Sequence, residues 1–221
     1  MPSSQRLLRL LECAVLFGLV PGLIDLRALG GVFLPLLLSV MAVMAVLLWR
    51  DPTFDNAQFG NLQGLRDERW RILTLWIPSA LAMMALTVIL DQIPSTPSQV
   101  QLFALPRSNP ALWVMIMLFY PLFSVYPQEL VFRAWFFHRY EEALGGAWPT
   151  ILIGGALFGW AHILFENWVA VVLCIPGGIL FGYTYHRSRS LLASGAEHAL
   201  YGDWVFTVGL GWLFYSGSVV S

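Results

Sequence analysis

The chain has 221 residues, 58% of them hydrophobic and only 11% charged, and its mean hydropathy is +0.70. An ordinary soluble domain is about 25% charged, so the composition excludes a soluble globular protein and describes an integral membrane one. A net charge of −1 leaves no basic footprint for nucleic acid, and Cys13 and Cys174 sit in apolar runs without the spacing of a metal site or a disulfide framework.

Hydrophobic runs set the expected spans, because a membrane helix takes about 20 apolar residues. The first covers 7–24. It lacks a small-residue cleavage site and further spans follow, so it reads as a transmembrane helix rather than a leader peptide. A short turn at Asp25, Arg27 and Gly30 leads to the second span, 31–49. The next stretch, RDPTFDNAQFGNLQGLRDERWR, reads as a polar loop, and the third span is 71–90. Prolines and serines in DQIPSTPSQVQLFALPRSNP mark another loop. The fourth span runs 111–139, with a kink or break expected at Pro121 and Pro127. The fifth covers 148–164, the sixth 168–185 and the seventh 190–215. The expected fold is all-α: a polytopic membrane helix bundle of about 7–8 transmembrane helices, with 1–221 forming one membrane domain.

Arginine placement sets the expected orientation. Arg6, Arg9, Arg50, Arg66, Arg69, Arg71, Arg139, Arg187 and Arg189 share one side if 111–139 is a single crossing, against Arg27 and Arg107 on the other. The bias predicts a cytoplasmic N-terminus. The compact, arginine-only loops favour a bacterial inner membrane.

Ionisable groups inside spans are expensive, about 2.5–3.5 kcal/mol each on insertion scales, so they carry the functional argument. Glu129 and Arg133 are four apart and share a helix face. They suit a structural ion pair, and equally a carboxylate kept charged for general-base work on water. His162 stands alone in the next span, where the simplest role is that of a satisfied core histidine. Glu166 and Asn167 suit a span-end cap, Glu197 a structural role, and Glu12, near Arg9, an interfacial one. His198 and Asp203 are five apart, an offset of roughly 140° on an ideal helix. What speaks against separate structural roles is a coincidence in depth. At 1.5 Å per residue Glu129 lies about 15 Å from Arg139, His198 about 12 Å from Ser190 and His162 about 21 Å from Pro149. One polar cavity open to the cytoplasm would collect all three.

These residues make the chain resemble the CAAX-prenyl-protease and bacteriocin-processing family, also called the abortive-infection family, of polytopic intramembrane endopeptidases. The family pattern is EExxxR, then FxxxH on the next helix, then HxxxN or HxxxD two helices later. Here the parts are Gln128-Glu129-Leu-Val-Phe-Arg133, Phe158-Gly-Trp-Ala-His162 and His198. Two positions depart from it. Gln128 replaces the first glutamate, and Gly202 stands four residues after His198, with Asp203 one place later.

The resemblance implies that 111–215 holds the catalytic core helices and 1–100 accessory helices. It implies an intramembrane endopeptidase acting on a membrane-bound peptide or protein within the lipid bilayer. Glu129, assisted by His162, would activate a water. His198, with Asp203 or Asn167, would stabilise the oxyanion, Arg133 would hold Glu129, and Gln128 would bind water or substrate. No cofactor is expected. A zinc variant on Glu129, His162 and His198 would have acceptable ligands but lacks an HExxH helix. The rival classes are a non-catalytic immunity or scaffold protein, favoured by Gln128, and a small-solute transporter, disfavoured by the lack of internal repeats.

Overall fold

In the computed structural model, which describes residues 1–24, 30–94 and 100–214, no strand occurs among the described residues. Helix α1 covers 3–23 and α2 is Phe33–Arg50. Helix α3 is Leu62–Asp91 and α4 is the short Ala104–Ser108. Then come α5, Pro110–Leu144; α6, Ala147–Phe165; α7, Trp168–Ser188; and α8, Leu191–Val208. Four of these, α3, α5, α6 and α7, are long and apolar enough to cross a membrane. Large apolar side chains stay exposed along them, among them Ile77, Leu81, Leu118, Leu122, Leu152 and Val172. An apolar surface of that extent marks contact with lipid, and the chain is an integral membrane protein. The turn expected at Asp25 and Arg27 lies outside the described residues, whereas the span expected to reach residue 215 ends earlier, at Val208, with Gly209 behind it at φ 102°.

Polar caps start four of the helices. Asn61, Asn109, Asn167 and Ser190 each accept a backbone N–H of the first turn, from Gly64, Leu112, Val169 and Ala193 at 2.9–3.0 Å. Such a cap contributes about 1 kcal/mol. The Asn61 cap corrects one expectation, since α3 starts at Leu62 rather than near residue 71. Its first turns are polar but helical, supported by Gln63–Asp67 at four residues' spacing and Glu68–Arg71 at three.

In α5 the break that Pro121 and Pro127 could have made is absent. The winding widens over Pro121–Val125 and again over Leu130–Trp135, and the helix runs on to Leu144. Wide turns of this kind absorb the missing proline N–H without a stop. At 1.5 Å per residue α5 is about 52 Å long, more than the hydrocarbon core of about 30 Å. Its last turns, with Arg139, Glu141 and Glu142, therefore emerge into a polar end of the bundle.

That end is laced together. Arg139 pairs with Glu12, Arg189 with Glu141 and Arg187 with Glu68, and Arg6 Nε donates to the Ala143 carbonyl. His138 meets Asp51 at 2.9 Å. The Thr53 hydroxyl, then His138, hold the Asp51 carboxyl well below the usual carboxylate range. The arginines of the N-terminus, of early α3, of late α5 and of the α7–α8 junction thus gather at one end of the bundle, the one-sided distribution the sequence carries.

Helices α6 and α7 lie side by side, and α8 packs along α3. Glycine permits the first pairing: a Cβ on Gly178 would meet the Gly155 carbonyl oxygen at 2.8 Å and its Cα at 2.9 Å. Gly178→Val is expected to force α6 and α7 apart at about 1–3 kcal/mol, read as earlier thermal unfolding in detergent. An unchanged transition would show that the two backbones do not touch there.

Candidate active site

Four helices meet around Glu129. Helix α5 carries it and Arg133, α8 carries His198, and the rings of Phe158 on α6 and Phe181 on α7 close the sides. Glu129 and Arg133 are both completely buried, with Arg133 Nε 3.1 Å from Glu129 Oε2. The other carboxylate oxygen, Oε1, lies 2.9 Å from His198 Nδ1. Burying two charges costs several kcal/mol per ion, and only close pairing with further contacts offsets it. Part of those contacts is present, while Arg133 Nη2 makes no hydrogen bond among the described residues. The guanidinium stands over Phe158 at 5.0 Å and Phe181 at 5.9 Å from the ring centres, and Arg133 Nη1 donates to the Phe132 carbonyl.

His198 is held as tightly. Its ring stacks on Phe181 at 4.7 Å and meets the edge of Phe158 at 5.3 Å. An ionised carboxylate only accepts, so Nδ1 carries the proton and Nε2 the lone pair. The Tyr120 hydroxyl lies 3.4 Å from that Nε2.

His162 sits where α6 tightens into its last turn, His162–Phe165. Its Nδ1 donates to the Phe158 carbonyl at 2.8 Å, which leaves the Nε2 lone pair free of that bond. The ring centres of His162 and His198 lie 4.8 Å and 5.3 Å from that of Phe158. The two histidines therefore share one ring as a wall, while Glu129 touches only His198 directly.

The supporting residues fall elsewhere. Gln128 donates to Ser124 on its own helix at 2.9 Å. Asn167 caps α7 through its carbonyl oxygen. Among the described residues Asp203 Oδ1 is buried with no hydrogen-bond partner, and no hydrogen bond joins Asp203 to His198. Glu197, next to His198 in sequence, faces away to accept from the Thr184 hydroxyl and to meet Arg71 at 3.5 Å. Among the described residues no three His, Cys, Asp or Glu side chains stand in an arrangement that would hold a metal ion. Sequence reasoning missed Tyr120. The one signal for it was the glycine at 202, whose empty side the tyrosine fills.

Residues 109–202 match the family described as Type II CAAX prenyl endopeptidase Rce1-like. No curated protein and no solved structure matches the chain. The matched stretch contains Glu129, Arg133, His162 and His198, so that in this part the chain is similar to the Rce1-like type II CAAX prenyl endopeptidases.

Proposed function

We propose that the protein is an intramembrane endopeptidase in which Glu129 and His198 together activate the water that cuts a membrane-bound peptide or protein. The family implies a protease of the CAAX type. The observation that carries the chemistry is the 2.9 Å contact from His198 Nδ1 to Glu129 Oε1 inside a fully buried cluster. Glu129 has one oxygen on His198 and the other beside Arg133, so it serves best by fixing the imidazole and balancing the charge that forms on it. His198 Nε2 then takes the proton from water. The water oxygen bonds to the peptide carbon, and His198 returns the proton to the leaving nitrogen as the C–N bond breaks. General-base assistance of this kind contributes about 10²–10⁴-fold. This differs from the sequence expectation, which gave the base to Glu129 with His162. In the proposed scheme His162, packed against Phe158, presents its Nε2 lone pair to the water or the substrate amide. Asp203 and Asn167 are left without a catalytic part, and the cavity opens toward the cytoplasmic end where the arginines gather.

The test is the membrane proteome of a host lacking the gene, complemented with wild type or with Glu129→Gln. Uncut precursors are expected in the deletion and the Glu129→Gln strain and absent with wild type. Identical proteomes would reject the proteolytic reading. The chemistry is proposed to run without a metal, so zinc chelators are expected to leave cleavage unchanged; loss on chelation with recovery on added zinc would replace this scheme by the metal variant.

Gln128 favours a second reading, a non-catalytic scaffold or immunity protein on the same helices. An amide cannot act as a base, and here it is tied to Ser124. That reading predicts that Glu129→Gln changes no precursor while deletion still changes the phenotype.

A further inference from the structure

Tyr120 reaches His198 through two features of the helices that carry them. The first is the empty side of α8. Gly202 is four residues after His198 and so on the same helix face. A Cβ there would meet Tyr120 Cε1 and Oη at 2.4 Å and Cζ at 2.7 Å. Any residue but glycine displaces the phenol from the space one turn beyond His198. The second is the wide turn Pro121–Val125. Nine residues separate Tyr120 from Glu129, about two and a half turns of a regular α-helix, which would set them on opposite faces. Both nevertheless reach His198, Tyr120 Oη at 3.4 Å from Nε2 and Glu129 Oε1 at 2.9 Å from Nδ1. Widening the helix between them removes part of the rotation. The Tyr120 ring is then fixed edge-on against Phe206, with centres 5.4 Å apart.

We propose that Tyr120 is a catalytic residue of the peptide cleavage, its hydroxyl donating to the oxygen of the tetrahedral intermediate beside His198. This rests on the hydrolytic reading of the Glu129–His198 couple. At rest the phenol donates to His198 Nε2. When a peptide carbonyl enters, the O–H turns about its C–O bond toward the carbonyl oxygen, and Nε2 is released to take the proton from water. The tyrosine keeps its own proton throughout. The negative charge that develops as water adds is carried by the former carbonyl oxygen, and a fixed donor aimed at that atom stabilises it. Loss of one such donor costs about 10²–10³-fold in kcat. Tyr120 thus supplies from α5 a donor that α8, with glycine at 202, does not.

The full-length protein in proteoliposomes is assayed with a farnesylated, quenched-fluorescent peptide of the CAAX pattern. Tyr120→Phe keeps the ring and removes only the hydroxyl. It is expected to lower kcat about 10²-fold with KM within twofold and thermal stability unchanged. Tyr120→Ala combined with Gly202→Asn, which moves the donor from α5 to α8, is expected to recover at least tenfold over Tyr120→Ala. Wild-type kcat in Tyr120→Phe would overturn the proposal while leaving the hydrolytic reading intact. Full activity in His198→Gln would overturn that reading, and the role of Tyr120 with it. A readout apart from activity is the ¹⁵N resonance of His198 Nε2 in selectively labelled protein. It is expected to move in Tyr120→Phe, and an unmoved signal counts against the contact.

Discussion

Arg133→Met is expected to destabilise the protein by about 3–5 kcal/mol, because removing one partner of a buried ion pair strands the other. Glu129 has no exposure, and among the described residues its ionic partners are Arg133 and His198; without Arg133 only the ionic partner His198 remains. The companion variant separates charge from packing. Glu129→Leu with Arg133→Met removes both charges and keeps apolar volume against Phe158 and Phe181, so most of the lost stability is expected to return, as replaced ion pairs commonly show. The double variant is expected to fold and to be inactive. Chemical unfolding in detergent checks the first statement and reporter cleavage the second. A single variant as stable as wild type would mean that the pair is solvated and the site is not the dry cluster described.

The second large effect falls on rate. His198→Gln places an amide between Phe181 and Phe158, so packing is largely kept while the proton acceptor is lost. Cleavage is expected to fall by about 10²–10⁴-fold with the unfolding transition close to wild type. His162→Gln is expected to be milder, since the bond of His162 goes to the Phe158 carbonyl and not to Glu129. Equal losses in the two variants would move His162 into the central couple and restore the assignment expected from the sequence.

What the sequence disclosed and what it concealed divide along physical lines. Glu129 and Arg133 were legible because two charges inside an apolar run are costly against lipid, and spacing of four lets each neutralise the other on one helix face. His198 was legible because an imidazole at that depth carries a similar cost. The partner of Glu129 was not, because depth along a helix can be counted from residue numbers while rotation between helices cannot. Counting put His162 and His198 at comparable depth, and only the packing shows that His198 holds the bond to Glu129 while His162 bonds the Phe158 carbonyl. Tyr120 was hidden more deeply. On a regular helix it faces away from Glu129, and the wide turn that brings it round begins at a proline that reads in sequence as a break. The start of α3 was hidden because its opening turns are polar, and hydropathy marks only the part of a helix that meets lipid. Gly202 carried a legible anomaly without a legible cause: the missing side chain is visible in one dimension, the phenol that fills its place is not.

The central claim is that Glu129 and His198 act as one unit on water. Residues that act as a unit lose function together rather than separately. The direct measurement is a double-variant cycle on farnesylated-reporter cleavage by the purified protein in proteoliposomes, with wild type, Glu129→Gln, His198→Gln and the pair. The account predicts that each single change removes nearly all the rate and that the double change removes hardly more. Losses that multiply, or a single variant that cleaves at the wild-type rate, would contradict it.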